Sequence, residues 1–255
     1  NDSDSDREVP VVTLQEPAIE QALTGRVDVR SSLSLNFQQM ILEELLVQDA
    51  LLILAKGLGL ELIVSNLLHI VATPNTLPTI TNDDPPKRSL VILLNAHDEE
   101  NQVISEELAE LSWLDGLVRP FIAIQGETVT ANRRRRMYLE GGIVSLSSRI
   151  FIVDLLLGIV NCNEITGIGA LHADRISETS NEAFIITFYR SHNSWGFLKC
   201  VTDDPRALLH TAARTSGGSI INPLQVMLRN MRLEKCLLWP RFHINVLSSL
   251  NFQGS

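Results

Sequence analysis

The chain has 255 residues, 45% hydrophobic and 20% charged, enough for one large domain or a compact domain with a tail. Its net charge of −9 argues against a surface that coats nucleic acid throughout. No uncharged run reaches the roughly 18 residues of a membrane helix, and Cys162, Cys200 and Cys236 lack the spacing of a disulfide frame or zinc site.

Residues 1–33 open with Asp2, Asp4, Asp6 and Glu8 against a single arginine, a composition expected to stay flexible. A short helix is expected over Glu16–Leu23. Asn36–Gln48 predicts a helix with Phe37, Met40, Ile41 and Leu45 on one face and Asn36 as its cap. Ala50–Ala55 reads as a fully buried strand, Lys56-Gly-Leu-Gly59 as a turn, and the residues after Gly59 as an amphipathic helix. A long loop over Thr73–Arg88 follows. Ser89–Asn95 is a second buried strand. His97–Leu114 is an acidic helix with Val103, Leu108, Leu111 and Leu114 facing inward.

Further strands are expected at Pro120–Gln125, Gly141–Leu146, Ile165–Ala173, Gly196–Thr202 and Lys235–Trp239, with helices over Glu182–Arg190 and Pro223–Arg232. Strands alternating with helices predict a doubly wound, mostly parallel α/β sheet. Trp239 and Phe242 are expected to pack the last strand onto the core. Phe252-Gln-Gly-Ser255 reads as a protease-site remnant and is left out of the fold. The domain boundaries follow: a flexible tail over 1–33, a lobe over 34–247 and a terminal segment over 248–255.

Strand, glycine turn, helix is the frame of a phosphate-binding loop, in which backbone N–H groups and a helix N-terminus hold phosphate. A working loop would continue with lysine, to neutralise charge, and a hydroxyl, to hold magnesium. Here Lys56, Gly57 and Gly59 keep the frame, but Leu60 and Glu61 replace those two side chains. Ile150-Phe-Ile-Val-Asp154 has the form of a metal-binding strand end, or of a buried helix or strand with one capped or exposed aspartate. In Gly169-Ala-Leu-His-Ala-Asp174, Leu171, His172, Ala173 and Asp174 stand where a helicase box would carry Asp-Glu-Ala-His. Thr202-Asp-Asp-Pro205 takes the place of a helicase coupling element. Three nucleotide-site elements degraded together predict that no ATP or magnesium is used.

The carboxylate pairs Asp83/Asp84, Glu99/Glu100 and Glu106/Glu107 read as solvated surface, since no histidine recurs at ligand spacing. No Gly-x-Ser-x-Gly elbow supports a hydrolase triad. Arg133-Arg134-Arg135-Arg136 is the densest basic run. It reads either as a solvated loop or helix face, or as a phosphate-contacting segment. With Arg175 it forms the candidate DNA-binding set.

Several strings together resemble the XPF family of structure-specific DNA-repair endonucleases. They are Phe37-Gln-Gln-Met-Ile-Leu-Glu-Glu-Leu-Leu46, Ile53-Leu-Ala-Lys-Gly-Leu-Gly59, Gly141-Gly-Ile-Val-Ser145, Ser148-Arg-Ile150, Ile152-Val-Asp154, Ile165-Thr-Gly-Ile168, Glu182-Ala-Phe184, Val226-Met-Leu-Arg-Asn230 and Leu238-Trp-Pro-Arg-Phe-His243. The resemblance covers Asn36–Val246. It implies the first RecA-like lobe of that family's helicase-like region, with ATPase function lost and DNA and partner binding retained. It also makes Ile150–Asp154 an ordinary sheet strand. The family's nuclease motif and the tandem helix-hairpin-helix that pairs with a small obligate subunit do not occur here, so the resemblance implies a piece of a larger nuclear protein. That protein would cut at duplex–single-strand junctions in nucleotide-excision and cross-link repair. The arginine run is more basic than the family segment, so its role does not carry over. Two rival readings stand beside this one: a protein-interaction module that docks a repair scaffold without touching DNA, and a surviving ATPase.

Overall fold

The computed structural model describes residues 31–73, 89–116, 118–126, 129–215 and 222–251. Seven parallel strands form one sheet: β1 (Ala50–Leu54), β2 (Leu90–Leu94), β3 (Phe121–Ala123), β4 (Gly142–Leu146), β5 (Gly167–Ala170), β6 (Phe197–Thr202) and β7 (Lys235–Trp239). Their spatial order is β3-β4-β2-β5-β6-β1-β7. Successive side chains on a strand point to opposite faces, so a strand covered on both sides must be apolar throughout. The sequences Ala-Leu-Leu-Ile-Leu of β1 and Leu-Val-Ile-Leu-Leu of β2 are buried at every position.

One face of the sheet is covered by α1 (Asn36–Val47), α2 (Leu60–Val71), α3 (Asp98–Asp115) and α9 (Ile244–Asn251). Their Phe37, Ile41, Ile63, Leu67, Ile104, Leu108 and Val246 pack with Leu52, Leu54, Val91 and Leu93. The other face carries α4 (Ala131–Glu140), α5 (Ser148–Leu156), α6 (Asn181–His192), α7 (Pro205–Thr215) and α8 (Pro223–Asn230). There Tyr138, Phe151, Ile186, Leu208 and Met227 meet Leu51, Ile53, Ile92 and Val144. The doubly wound parallel sheet expected from the alternation of strands and helices is the observed architecture.

At the β3 edge, Gly142 has φ 95°, and a Cβ there would lie 2.6 Å from the Pro120 carbonyl oxygen. Only glycine lets the chain entering β4 pass so close to the residue before β3.

Several local expectations are corrected. Ile150–Asp154 is not a strand but the middle of α5. A short apolar run satisfies either period; here Phe151, Asp154 and Leu155 share the buried face at helical spacing, while Val153 and Leu156 are exposed. Asp154 is itself fully buried, neither capping nor exposed. Leu35, not Asn36, is the residue before the first turn of α1, and it makes no side-chain cap bond. The inward stripe of α3 runs through Ile104, Leu108 and Leu111, leaving Val103 and Leu114 exposed. Trp239 is buried as expected, but Phe242 is 82% exposed, because the chain turns away from the sheet after Pro240.

Leu33 lies in the core and the Ser32 N–H donates to Asn66 Oδ1 at 2.9 Å, so the end of the expected tail packs with the lobe. At the other end, α9 runs through residue 248 to Asn251. The helix expected over Glu16–Leu23, most of the Thr73–Arg88 loop and the terminal 252–255 lie outside the described residues.

Candidate functional site

In a parallel sheet, ligands bind beyond the carboxyl ends of the strands, where the βα loops gather. The neighbouring strands β2, β5, β6 and β1 bring four loops side by side there: Asn95–His97, Leu171–Arg175, Thr202–Asp204 and Lys56–Gly59. Of the nucleotide-site elements read from the sequence as degenerate, the glycine turn, the box and the coupling segment meet on this row, with Leu60 and Glu61 just beyond it in α2, while Asp154 lies elsewhere.

The Lys56–Gly59 loop keeps its glycine-dependent shape. Gly57 and Gly59 take φ of 84° and 82°, the left-handed region, and Gly59 begins α2. Neighbouring side chains pack against it. The buried Gln38 amide Nε2 donates to the Leu58 carbonyl at 3.0 Å, and a Cβ at Gly59 would lie 2.7 Å from that nitrogen. Arg241 donates to the Lys56 carbonyl from Nη2 at 2.6 Å and from Nε at 3.2 Å. The Lys56 side chain is exposed and Leu60 half-buried. Glu61 sits in the first turn of α2, where a carboxylate complements the positive helix end that would otherwise attract phosphate.

The four residues read from the sequence as a decayed helicase box divide. Leu171 and Ala173 are buried. Asp174 turns toward β6, accepting a hydrogen bond from Thr202 Oγ1 at 2.7 Å, and the Asp204 N–H donates to the same hydroxyl at 3.1 Å. The box and the coupling segment are thus in direct contact. His172 turns the other way. It has φ 53° and ψ 46°, unusual for a residue with a side chain, and its Nε2 lies 3.0 Å from Glu100 Oε2. Glu100 also accepts from the His97 backbone N–H at 2.7 Å, and the His97 and His172 rings lie 4.4 Å apart between centroids. Burial alone would raise the Glu100 carboxyl; the hydrogen bonds from His172 and the His97 backbone hold it below the usual carboxylate range. Glu100 was expected on solvated surface with no histidine at ligand spacing; His97, three residues upstream, and His172, brought in by the fold, both stand beside it.

Beside this cluster opens a cleft of about 480 Å³ whose lining includes Asn95, His97, Ser145, Arg175 and Glu182. Arg175 is 65% exposed, its Nε 4.0 Å from Asp174 Oδ2. Asn95 Nδ2 donates to Glu182 Oε1 at 2.8 Å. Burial would raise the Glu182 carboxyl, but bonds from Ser148, its own backbone N–H, Asn95 and Ser180 bring it below the ordinary value.

The arginine run forms the first half of α4 and does not act as one patch. Arg134 faces inward: Nε and Nη2 hold Asp154 Oδ2 and Oδ1 at 2.7 and 2.6 Å, and Nη1 donates to the Val129 carbonyl at 2.5 Å. One helical turn on, Tyr138 donates to Asp154 Oδ2 at 2.7 Å. Burial first, then that carboxylate, push the Tyr138 hydroxyl far up. Arg133, Arg135 and Arg136 are exposed. The structure therefore removes Arg134 from the candidate DNA-binding set.

Comparison with known proteins fits this geometry. No family model matches the chain. The DNA repair protein RAD1 of Saccharomyces cerevisiae is 40% identical over 242 residues, covering 88% of this chain and 21% of RAD1. The DNA repair endonuclease XPF of Cricetulus griseus is 31% identical over 216 residues, covering 85% of this chain and 21% of XPF. Over this shared segment the chain is a homologue of the proteins named as XPF-type DNA repair endonucleases. It spans about a fifth of the length of those relatives. The helicase domain of Pyrococcus furiosus Hef superposes with a TM-score of 0.61 at 16% identity, covering 89% of this chain and 41% of that one, so the fold is that of a RecA-like helicase lobe.

In this lobe, several site residues were not singled out from sequence. Gln38 and Arg241 lie inside the strings that carry the resemblance, Phe37-Gln-Gln and Trp-Pro-Arg-Phe-His, yet their partners are distant in the chain; Arg241 reaches Lys56 across 185 residues. Asn95 signals itself only through its left-handed backbone, φ 63°.

Proposed function

We propose that this chain is a non-catalytic helicase-like lobe of a nuclear XPF-type endonuclease, which helps that enzyme grip DNA at duplex–single-strand junctions during nucleotide-excision and cross-link repair. The observation that carries it is the exposed arginine face of α4: Arg133, Arg135 and Arg136 remain free to meet phosphates, while Arg134 is held by Asp154. The relatives are named as DNA repair proteins and endonucleases, which supports the parent's activity. The loss of ATP use is supported by Leu60 and Glu61 at the start of α2 and by Gln38 and Arg241 packed on the loop. The remaining partners follow the family resemblance: a repair scaffold protein, and a small obligate subunit on a region outside this segment. Among the described residues no helix is long and apolar enough to cross a membrane.

The test is fluorescence anisotropy with a labelled splayed-arm DNA across a salt series. The wild type is compared with Arg133→Ala/Arg135→Ala/Arg136→Ala, Arg134 being kept so that the fold is kept. Three phosphate contacts predict that the variant's log–log salt slope is shallower by about 2 to 3. A second reading, a protein-docking module without DNA contact, is favoured by the net charge of −9 and by the exposed Trp113, Phe242 and Ile244. A folded wild type that does not bind DNA at low salt would decide for it.

A further inference from the structure

We propose that His97, Glu100 and His172 form a binding site for one divalent transition-metal ion, with zinc the best match to the donor set. Each residue offers one ligand atom, and these atoms all lie within 4.8 Å of one another. Zinc bonds of about 2.0–2.2 Å place tetrahedral ligand atoms roughly 3.3 Å apart. Glu100 Oε2 and His172 Nε2, at 3.0 Å, are already at that separation. The exposed His97 ring nitrogen lies within 4.8 Å of both and completes the set by moving closer.

The scaffold is rigid where it needs to be. β2 and β5 are hydrogen-bonded neighbours in register Leu94↔Ala170, and the Leu171 N–H donates to the Leu94 carbonyl at 3.1 Å, extending the ladder one step further. His172 therefore leaves β5 at a fixed height beside the loop after β2, and its left-handed backbone turns the ring toward that loop. On the β2 side, His97 stands immediately before α3 and Glu100 in its first turn, fixed to each other by the bond from the His97 backbone N–H. Ligands from two loops and a helix start converge without any of them being remote from a sheet strand.

The chemistry selects the ion class. Two imidazoles and one carboxylate suit zinc, cobalt or nickel; magnesium and calcium prefer all-oxygen shells. Three protein ligands leave a fourth position for water or an outside donor. That position would border the cleft lined by His97, Arg175 and Glu182. The site occupies the βα-loop end where a helicase box would have held magnesium, but it uses the β2 loop in place of the phosphate-binding loop.

The experiment is calorimetric titration of the untagged, chelator-stripped chain with zinc chloride, together with cobalt(II) titration followed by visible absorption. One zinc per chain is expected, with a rise in melting temperature and the visible bands of nitrogen- and oxygen-ligated cobalt. His97→Ala removes an exposed ligand, and its melting temperature is read with and without zinc so that loss of the helix cap is separated from loss of the ligand. His172→Asn keeps a residue that tolerates the left-handed backbone. Each should weaken zinc at least about tenfold. Excess magnesium or calcium should not displace the zinc. Absence of one-to-one binding in the folded wild type would overturn the site. So would zinc affinity that survives both substitutions, or displacement by magnesium.

Discussion

Arg134 carries the clearest consequence of a single residue's placement. Its guanidinium forms a two-bond pair with a carboxylate that has no contact with water, and Tyr138 fills one of the remaining acceptor positions. Breaking a buried pair by removing one partner leaves the other charge without solvent or counter-ion. Arg134→Ala is therefore expected to destabilise the lobe by about 3–5 kcal/mol in urea unfolding, whereas Arg135→Ala should change stability by less than about 0.5 kcal/mol. Four adjacent identical letters thus separate into one structural residue and three available ones. The run itself gave no sign of this: the partner, Asp154, lies 20 residues on and was read as a capped or exposed aspartate or strand end.

At the scale of elements, the last strand and its exit show why apolar content alone misassigns neighbours. β7 is an edge strand, pairing only with β1 among the described strands, and Leu238 is 60% exposed while Trp239 is 4% exposed. Trp239→Ala should cost about 3–5 kcal/mol through the lost contacts and the cavity. Phe242→Ala, three residues later, should leave the unfolding midpoint within about 0.5 kcal/mol of wild type. Should Phe242→Ala prove strongly destabilising, the exposed ring would have to be packing in solution. The α3 stripe carries a similar lesson. Val103 and Ile104 are adjacent and equally apolar, and only the angle at which α3 lies on α2 and β3 selects Ile104 for the core.

The carboxyl end of the sheet behaves as one unit because polar side chains tie its loops together. Glu182 links α6 to Asn95 after β2 and to Ser148 of α5. Its carboxyl titrates lower in the folded chain than in the unfolded one, where a glutamate ionises near about 4.3. The unfolded chain therefore binds the proton first as the solution is acidified. The stabilisation is complete above that unfolded value and is lost as pH falls through the lower folded value. In urea unfolding across pH, wild type should exceed Glu182→Gln by a constant margin above about pH 5–6, and the margin should shrink below about pH 4. A margin independent of pH would mean that the charge is not what holds the loops.

The seven strands, their parallel alternation with helices and the doubly wound class were legible in the sequence, because short apolar runs set between turns and amphipathic helices are a local signal, strongest in β1 and β2, which are buried on both faces. The glycine turn at Lys56–Gly59 was equally legible, since two glycines so close together let the chain take positive φ without a Cβ clash. What only the tertiary structure decided were the contacts between loops. Ile150–Asp154 is helix because Phe151, Asp154 and Leu155 share one buried face at helical spacing, with Arg134 there to hold the aspartate; Gln38 and Arg241 came to lie on the glycine loop from distant parts of the chain; and His172 met His97 and Glu100 because β2 and β5 are neighbours in space although 72 residues separate Glu100 from His172. Sequence determines which residues must be buried or turned. The pairing order of the strands determines which side chains become each other's solvent.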